Sequence, residues 1–285
     1  MIISIASGKG GTGKTTVAVS MALSLNNVQF LDCDVEAPNA HIFLNPRFYK
    51  RTSGYITVPK IDEDKCTYCG KCAEACNYNA IAVMSNNDNS RRRILHFPNL
   101  CHGCGVCGYV CPVNAIKDSK REIGIIEEGG VGCDIEFIHG ELHISEAIAS
   151  ALIRQVKDLI RKEKLVIIDA PPGTSCPVIN AVSGSNFCIL VTEPTPFGFN
   201  DFVLASELMR EMNIAFGAII NRCDLGDNKV EEYCRKEDIP ILLKIPFGKD
   251  IAAAYSKGEP LVKILPEYKQ IFRDIFYKIE RICKA

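Results

Sequence analysis

A glycine-rich segment near the first residue constrains the fold more than any other feature of the sequence. It reads SGKGGTGKTT at residues 7–16, follows a short apolar run at residues 2–6 and precedes a helical pattern at residues 17–25. This order of strand, loop and helix, with the spacing G-x-x-x-x-G-K-[ST], is typical of a loop that binds phosphate groups. The sequence therefore predicts an α/β domain with a nucleotide site after its first strand.

The residue types of this segment suit phosphate chemistry. Glycines leave backbone N–H groups free to turn toward phosphate oxygens, and the start of the helix adds further unpaired N–H groups. Lys14 can neutralise the β and γ phosphates, and the hydroxyl of Thr15 can bind magnesium. The predicted nucleotide contacts are Gly8, Gly10, Gly11, Thr12, Gly13, Lys14, Thr15 and Thr16.

Two aspartates follow later predicted strands. Residues 28–31 lead into DCDVEAPNA, which contains Asp34, and the apolar run at residues 165–168 ends in DAPPG, which contains Asp169. Carboxylates at strand ends beside a P-loop are suitable oxygen ligands for a hard cation such as Mg²⁺. Either aspartate alone could instead cap a helix, but both in register with a P-loop favour a magnesium–nucleotide site.

Composition and charge narrow the class of protein. Of the 285 residues, 47% are hydrophobic, which is enough for one full-sized domain and a small module, and the net charge of −1 gives no footprint for nucleic acid. No apolar run approaches the roughly 20 residues that cross a membrane, and the opening is too short for a signal peptide. We therefore expect a cytoplasmic protein. The apolar stripe at residues 271–282 suits a helix packed on the sheet, with a membrane-binding helix as the alternative.

Eight of the fifteen cysteines form two runs with the same spacing, C-x2-C-x2-C-x3-C. In a reducing compartment, cysteines in such a pattern indicate metal chemistry rather than disulfides. The second run lies 35 residues after the first, and the tripeptide NAI at residues 79–81 recurs at residues 114–116 with the same offset. The sequence therefore indicates an internal duplication. The runs are Cys66, Cys69, Cys72 and Cys76, and Cys101, Cys104, Cys107 and Cys111.

This spacing predicts two 4Fe-4S clusters per chain. Three closely spaced thiolates wrap three corners of one cluster, and the chain carries the fourth cysteine away to complete the other cluster. A zinc ribbon is the alternative, but zinc gives no reason for a third cysteine at the same spacing in both halves. The stretch resembles the two-cluster bacterial ferredoxins, with Asn77 where proline is expected after the fourth cysteine. The predicted ligand sets are Cys66, Cys69, Cys72 and Cys111 for one cluster, and Cys101, Cys104, Cys107 and Cys76 for the other.

The cysteine-rich stretch interrupts the α/β pattern. We predict a discontinuous P-loop domain at residues 1–59 and 120–285, with a mostly parallel sheet flanked by helices. A small α+β domain like bacterial ferredoxin, at residues 60–119, is expected as an insertion in a surface connection. Between the cysteine runs we expect a hairpin around the turn SNNDNS. The arginines at residues 91–93 suit either a solvated tip or a surface that docks an acidic redox partner.

The P-loop contains a second lysine, Lys9, directly after its first glycine. With this lysine, KGGTGKT resembles the deviant Walker loop of the MinD, ParA, Mrp and nitrogenase iron-protein ATPases. The resemblance to members of this superfamily that contain an inserted ferredoxin domain covers essentially the whole chain. It implies ATP hydrolysis in a homodimer formed on ATP binding, with Lys9 acting in trans on the partner's phosphates. The resemblance also implies that Lys14 is a catalytic residue, that Asp34 orients the attacking water and that Asp169 holds magnesium through water.

The identity of the base depends on the predicted strand at residues 214–220 and the NRCD segment at its end. This segment could be the N-[KR]-x-D element that reads guanine in GTPases. The ATPases that the chain resembles instead place an asparagine there, here Asn221, and bind adenine with it and with backbone near a later proline, here Pro246. Because the rest of the chain resembles the ATPases, we expect ATP, with GTP as the alternative.

Two cysteines outside the insert, Cys133 and Cys176, resemble those of the nitrogenase iron protein. There, each subunit gives two cysteines to one 4Fe-4S cluster on the dimer axis, one in a GVGC segment and one seven residues after the Walker-B aspartate. Here GVGC ends at Cys133, and Cys176 follows Asp169 by seven residues. The alternatives are a third cluster at a dimer interface and two ordinary buried cysteines. Small buried hydrophobes are expected at Cys33, Cys188, Cys223, Cys234 and Cys283.

A nucleotide site and iron–sulfur clusters are both predicted in this one chain. Together they predict an ATPase whose nucleotide-dependent dimer gates electron transfer through, or delivery of, the clusters. Its partner would be an unidentified redox or cluster-accepting protein. One alternative is a positioning or partition ATPase that uses the clusters as a redox sensor. Another is a cluster scaffold or metallocentre-maturation factor in which the clusters are cargo. A Mrp-like scaffold would be expected to carry a C-terminal C-x-x-C, which this sequence lacks.

Overall fold

The computed structural model describes residues 1–85 and 92–284. Arg91 and the predicted hairpin turn beyond Ser85 lie outside the described residues. The strands of the described residues are β1 Ile2–Ser7, β2 Val28–Asp32, β3 Arg47–Ile61, β4 Ile81–Ser85, β5 Arg92–His96, β6 Ile116–Val131, β7 Ile135–Leu142, β8 Leu165–Pro172, β9 Phe187–Thr192, β10 Phe216–Asn221 and β11 Ile241–Ile245.

The helices alternate with the strands outside the cysteine-rich segment. The first helix begins at Lys14 rather than at the expected residue 17, because Gly13, with φ 92°, turns the P-loop directly into it. The helices of the described residues are α1 Lys14–Ala22, α2 Ala40–Leu44, α3 Lys71–Glu74, α4 Val106–Tyr109, α5 Ala149–Lys157, α6 Cys176–Val182, α7 Pro196–Glu211, α8 Lys229–Lys236, α9 Lys249–Tyr255, α10 Leu261–Ile264 and α11 Tyr268–Lys284.

Nine of the described strands form one sheet in the order β11-β10-β9-β1-β8-β2-β7-β6-β3. The neighbours from β11 to β7 are parallel, and β6 and β3 add an antiparallel edge. The central strands are buried along nearly their whole length, as parallel strands are when helices cover both faces. One core cluster includes α5, α6 and α7, and the other includes α1 and α11. The predicted α/β fold with a mostly parallel sheet is confirmed.

The antiparallel edge extends beyond the rest of the sheet. Gly124 of β6 lies opposite Leu142 at the end of β7, whereas β6 itself begins well before Gly124. The β3–β6 ribbon therefore continues past the carboxyl ends of the parallel strands, where the P-loop also lies. The expected boundaries at residues 59 and 120 fall inside this ribbon, with Pro59 opposite Asp118, instead of in a surface connection. That these segments form separate domains stays a prediction.

The cysteine-rich segment repeats in structure what it repeats in sequence. The short helices α3 and α4 occupy equivalent positions, and β4 and β6 both begin at the isoleucine of the repeated NAI tripeptide. β4 pairs with β5 in an antiparallel arrangement, which agrees with the expected hairpin. In the other half, β6 pairs with β3 instead. One of the two equivalent ribbons has thus been extended into the main sheet.

The last helix packs against the sheet, as the simpler interpretation of its apolar stripe predicted. Its buried residues belong to the core cluster that includes α1. In the part of the chain that the structure describes, no helix has the length and apolar character needed to cross a membrane. The buried residues of α11 are Tyr268, Phe272, Ile275 and Ile279.

The cysteines expected to be small buried hydrophobes do not all fit that description. Cys33, Cys188 and Cys234 are buried in the core, as expected. Cys223 is only half-buried, and Cys283, near the end of α11, is exposed. The expectation is wrong for Cys283 because the outer side of the last turn of this helix faces solvent.

Candidate nucleotide site and cysteine cavities

The predicted nucleotide residues meet at the carboxyl ends of β1, β2 and β8. Ile5 of β1 and Asp32 of β2 are both in register with Asp169 of β8, so the P-loop lies beside both aspartate-bearing strands. A cavity of about 350 Å³ opens there, within the size range of small-molecule sites. The predicted residues that line it are Gly10, Gly11, Gly13, Lys14, Thr15, Thr16, Asp34, Asn221 and Pro246.

Lys14 lies between two carboxylates in the buried part of this site. Its Nζ is 2.7 Å from Asp169 Oδ1 and 3.7 Å from Asp34 Oδ2. Burial opposes the charged ammonium, but the two aspartates outweigh burial and raise the pKa of Lys14. The lysine is therefore held as a cation at the point where phosphate oxygens would enter.

Two oxygen groups beside Lys14 fit a magnesium ion. Asp169 is fully buried, and its Oδ2 has no hydrogen-bond partner among the described residues. The neighbouring P-loop residue Thr15 lines the cavity. A carboxylate oxygen and a hydroxyl are suitable ligands for this hard cation. Burial also raises the pKa of the nearby Asp34 carboxyl to about 6, while Lys14 opposes the shift.

A third aspartate, Asp32, was not identified from the sequence. It is fully buried, and its carboxylate accepts hydrogen bonds from the N–H groups of Asp34 and Asn39, both at 3.1 Å, and of Ala40 at 3.0 Å. Burial raises the pKa of Asp32 to about 7, and the negative charge of Asp169 adds to the shift. The available signal was the D-C-D spacing, which puts Asp32 and Asp34 at one strand end.

Lys9 does not line the cavity. Its Nζ lies 3.3 Å from Glu193 Oε2, and the other oxygen of Glu193 accepts a hydrogen bond from Arg222 Nη1 at 2.6 Å. Glu193 follows β9 and is nearly buried, with 8% of its side chain exposed. The lysine predicted to act in trans is thus paired within its own chain, through a glutamate that the sequence interpretation missed.

Gly8 and Thr12 support the loop from behind the cavity. A Cβ atom on Gly8 would lie 2.2 Å from the carbonyl oxygen of Asp201 in α7, so only glycine allows this close approach. The carbonyl oxygen of Thr12 accepts a hydrogen bond from Asn221 Nδ2 at 2.8 Å. The end of β10 is thereby joined to the P-loop.

The residues predicted to bind the base lie at the far side of the cavity. Asn221 and Pro246 both line it, together with Phe247. Asp224, the aspartate of the NRCD segment, accepts a hydrogen bond from the Phe247 N–H through Oδ1 at 2.6 Å. One carboxylate oxygen of Asp224 is therefore engaged by the backbone of the loop that carries Pro246.

The eight cysteines of the two runs line two separate cavities. One is lined by Cys76, Cys101, Cys104 and Cys107. The other is lined by Cys66, Cys69, Cys72 and Cys111. In both, the fourth cysteine of one run joins three cysteines of the other run, so the donor set fits a four-iron cluster. In residues 1–85 and 92–284, no three or more His, Cys, Asp or Glu side chains converge tightly enough to hold a single metal ion.

The two cavities are similar at their crossing cysteines but differ elsewhere. The N–H groups of Ala80 and Ala115 donate to Cys76 Sγ and Cys111 Sγ, both at 3.3 Å, and N–H donors to cluster sulfurs influence reduction potentials. The first cavity is lined by a stacked pair of rings, Tyr78 and His102, with centroids 3.8 Å apart, whereas the aromatic residue lining the second cavity is Tyr68. The positions equivalent to Tyr78 and His102 carry valine and threonine.

Cys133 and Cys176 lie at opposite ends of the sheet. Cys133 is in the turn before β7, which begins in register with Val28 at the amino end of β2. Cys176 begins α6, beyond the carboxyl end of β8. Both are exposed, so they are not buried core residues either. Because the length of a strand separates them, one chain cannot give both to a single cluster, which argues against the predicted third cluster.

Comparisons with known proteins agree with this geometry. Residues 3–261 match the family described as the CobQ/CobB/MinD/ParA nucleotide binding domain. An uncharacterized protein of Methanocaldococcus jannaschii is 36% identical over 98% of this chain and 96% of its own length. The iron–sulfur cluster carrier protein of Rickettsia bellii is 26% identical, over 93% of this chain and 67% of its own.

A solved structure has a similar fold. The septum site-determining protein MinD complexed with Mg-ADP, from Pyrococcus horikoshii, aligns with a TM-score of 0.58 and 20% identity, over 99% of this chain and 96% of that chain. At this identity the likeness establishes the fold alone, whereas the family match extends over most of the sequence. The chain therefore belongs to the CobQ/CobB/MinD/ParA family of nucleotide-binding P-loop ATPases.

Proposed function

We propose that this protein is an ATPase that couples a nucleotide-dependent change of dimer state to electron transfer through, or delivery of, two 4Fe-4S clusters. The observation that carries the proposal is the β3–β6 ribbon, which belongs both to the sheet with the nucleotide site and to the cysteine-rich segment. A change at one site can reach the other through these continuous hydrogen-bonded strands.

The cysteine cavities support the metal half of the proposal. Each has four thiols, the number that a 4Fe-4S cluster needs, in the crossed combination that the spacing predicts. Bound clusters of this kind accept and release single electrons. Protein N–H groups already donate to the sulfurs of Cys76 and Cys111, the two crossing ligands.

The nucleotide half follows from the residues around Lys14. In the proposed reaction Lys14 binds the β and γ phosphates, while Thr15 and Asp169 hold magnesium. Asp34 orients the attacking water. Lys9 contacts the phosphates of a second copy of the chain, and to do so it must leave Glu193.

ATP is the proposed nucleotide because the residues expected to bind adenine line the cavity, whereas the aspartate expected to read guanine does not. A guanine-reading aspartate must accept hydrogen bonds from the base. In this chain Asp224 already accepts one from the backbone N–H of Phe247. Asn221 and Pro246 line the cavity that would receive adenine.

Cluster delivery is the second of the two outcomes that the proposal allows, and the name of one relative favours it. The Rickettsia bellii protein is called an iron–sulfur cluster carrier protein, and it matches nearly the whole of this chain. In delivery the clusters leave with each cycle, whereas in electron transfer they stay bound. Iron retention during hydrolysis therefore distinguishes the two.

The test uses anaerobically purified protein. We expect about eight irons and eight sulfides per chain, and a midpoint potential that differs by roughly 30–60 mV between MgADP and a non-hydrolysable ATP analogue. Iron released to an apo-ferredoxin only during hydrolysis would favour delivery instead. Two zinc ions per chain, or clusters that neither shift nor leave with any nucleotide, would refute the proposal.

A further inference from the structure

Asn39 is a residue of the nucleotide cavity that was not among the predicted site residues, although it belongs to the DCDVEAPNA segment. It lies directly before α2 and lines the cavity. Its side-chain Oδ1 is buried and has no hydrogen-bond partner among the residues that the structure describes. Burying an unpaired polar atom is costly, so such an atom calls for an explanation in terms of an ion, a water or catalysis.

A second buried oxygen without a partner in the described part of the chain belongs to Asp169. Asp169 Oδ1 is bonded to Lys14 at 2.7 Å, which leaves Oδ2 buried and unpaired within the described residues. Asp32 connects the two oxygens, because it is in register with Asp169 and its carboxylate accepts the N–H of Asn39. Asn39 and Asp169 are therefore both neighbours of the same buried carboxylate, and Asp169 also contacts the lysine that is expected to bind phosphate.

Asp32 also fixes the position of the Asn39 backbone. One of its oxygens holds the N–H of Asp34, and the other holds the N–H groups of Asn39 and Ala40. The segment between Asp34 and Ala40 is thereby tied to the end of β2. Asp32 does not line the cavity, so it acts through the residues that it holds.

We infer that Asn39 Oδ1 accepts a hydrogen bond from the water shell of nucleotide-bound magnesium, and that Asp32 is its positioning residue. The inference rests on the proposed function, because it takes magnesium–ATP as the ligand. Magnesium in nucleotide sites keeps several of its waters, and those waters need oxygen acceptors around them. Asn39 Oδ1 and Asp169 Oδ2 supply two such acceptors.

The experiment measures binding of a fluorescent non-hydrolysable ATP analogue to the intact iron–sulfur protein, with Mg²⁺ and with EDTA. Asn39→Ala should weaken binding roughly five- to tenfold with Mg²⁺ and less than twofold with EDTA, because only the contact to magnesium-bound water is lost. Asn39→Asp keeps an oxygen acceptor of the same size and should retain the gain from Mg²⁺. Asn45→Gly, at the other end of α2, is the matched control and should behave as wild type.

Equal losses for Asn39→Ala with and without Mg²⁺, or no loss at all, would overturn the inference. A lost magnesium effect in Asn39→Asp would overturn it as well, and this variant keeps the test valid if Asn39→Ala folds poorly. Asp32→Asn should lose the same magnesium effect although Asn39 is intact. If wild type itself shows no magnesium-dependent binding, the proposed function fails. If wild type shows it and the variants match wild type, only the role of Asn39 fails.

Discussion

The nucleotide site and the cysteine-rich segment assemble their functional residues in different ways. The nucleotide site takes residues from the P-loop, from the ends of β2 and β8, and from β10 and β11, so its parts span most of the chain. The eight cysteines all lie between Cys66 and Cys111, and each cavity needs a single crossing cysteine. Long-range packing of a sheet therefore forms the first site, whereas a local duplication forms the second.

The two regions also differ in what stabilises them without a ligand. At the nucleotide site, Lys14 and Asp169 compensate each other's buried charge. In the cysteine cavities, burial raises the pKa of the Cys72 and Cys107 thiols, which favours their neutral form when no metal is bound. Binding of the proposed clusters would then contribute directly to folding of the segment.

The largest expected effect is the loss of nucleotide binding without loss of iron. Lys14→Ala should weaken binding of an ATP analogue at least about a hundredfold, because the phosphates lose their buried cation and Asp169 keeps an unpaired charge. Iron content should not change. Titration calorimetry and iron analysis check both, with Lys263→Ala, which removes an exposed lysine, as the control. Loss of iron in Lys14→Ala would show that the two regions are not independent.

The next largest effect is the separate loss of the two predicted clusters of the cysteine-rich segment. Cys76→Ser should remove about four irons per chain, those of the cavity that Cys101 also lines, and Cys111→Ser should remove the other four. The two EPR signals should disappear one at a time, while nucleotide binding stays intact. If each variant instead loses the cluster of its own run, the crossed assignment is wrong.

A smaller effect concerns the residue that connects the nucleotide site to a second chain. Lys9→Ala should bind the ATP analogue within about threefold of wild type but fail to form the nucleotide-dependent dimer. Glu193→Gln should lower the analogue concentration needed for dimerisation by roughly two- to fivefold, since it frees Lys9 from a partly exposed ion pair. Analytical ultracentrifugation measures both. An unimpaired dimer in Lys9→Ala would exclude the trans role.

The smallest effect is the pH dependence of the sheet's stability. Burial raises the carboxyl pKa values of Asp34 to about 6 and of Asp32 to about 7, from 3.8. Protonation therefore favours the folded state, and the free energy of unfolding should fall as pH rises from 3.8 to about 7. Urea denaturation in magnesium-free buffer between pH 5.5 and 8 measures this trend. Asp32→Asn should flatten it, and an unchanged slope in that variant would contradict the assignment.

Much of the fold and of both sites could be predicted because their signals are local. Three kinds of contiguous pattern were available: the P-loop, the two aspartate motifs and the cysteine spacing. Each pattern indicates the type of ligand that its residues can bind. Apolar strands alternating with helices predicted the parallel sheet. The repeated NAI tripeptide even predicted the equivalence of the two halves of the cysteine-rich segment.

What the sequence by itself determined, then, was which motifs exist and what they bind. The tertiary structure alone decided the contacts of residues that belong to no recognised motif. Strand register paired Asp32 with Asp169, and the ends of β9 and β10 brought Glu193 and Arg222 toward Lys9. Register also separated Cys133 from Cys176 and extended β3 and β6 through the expected domain boundaries. Contacts between distant residues depend on strand order and register, which cooperative packing of the whole sheet sets and no local pattern encodes.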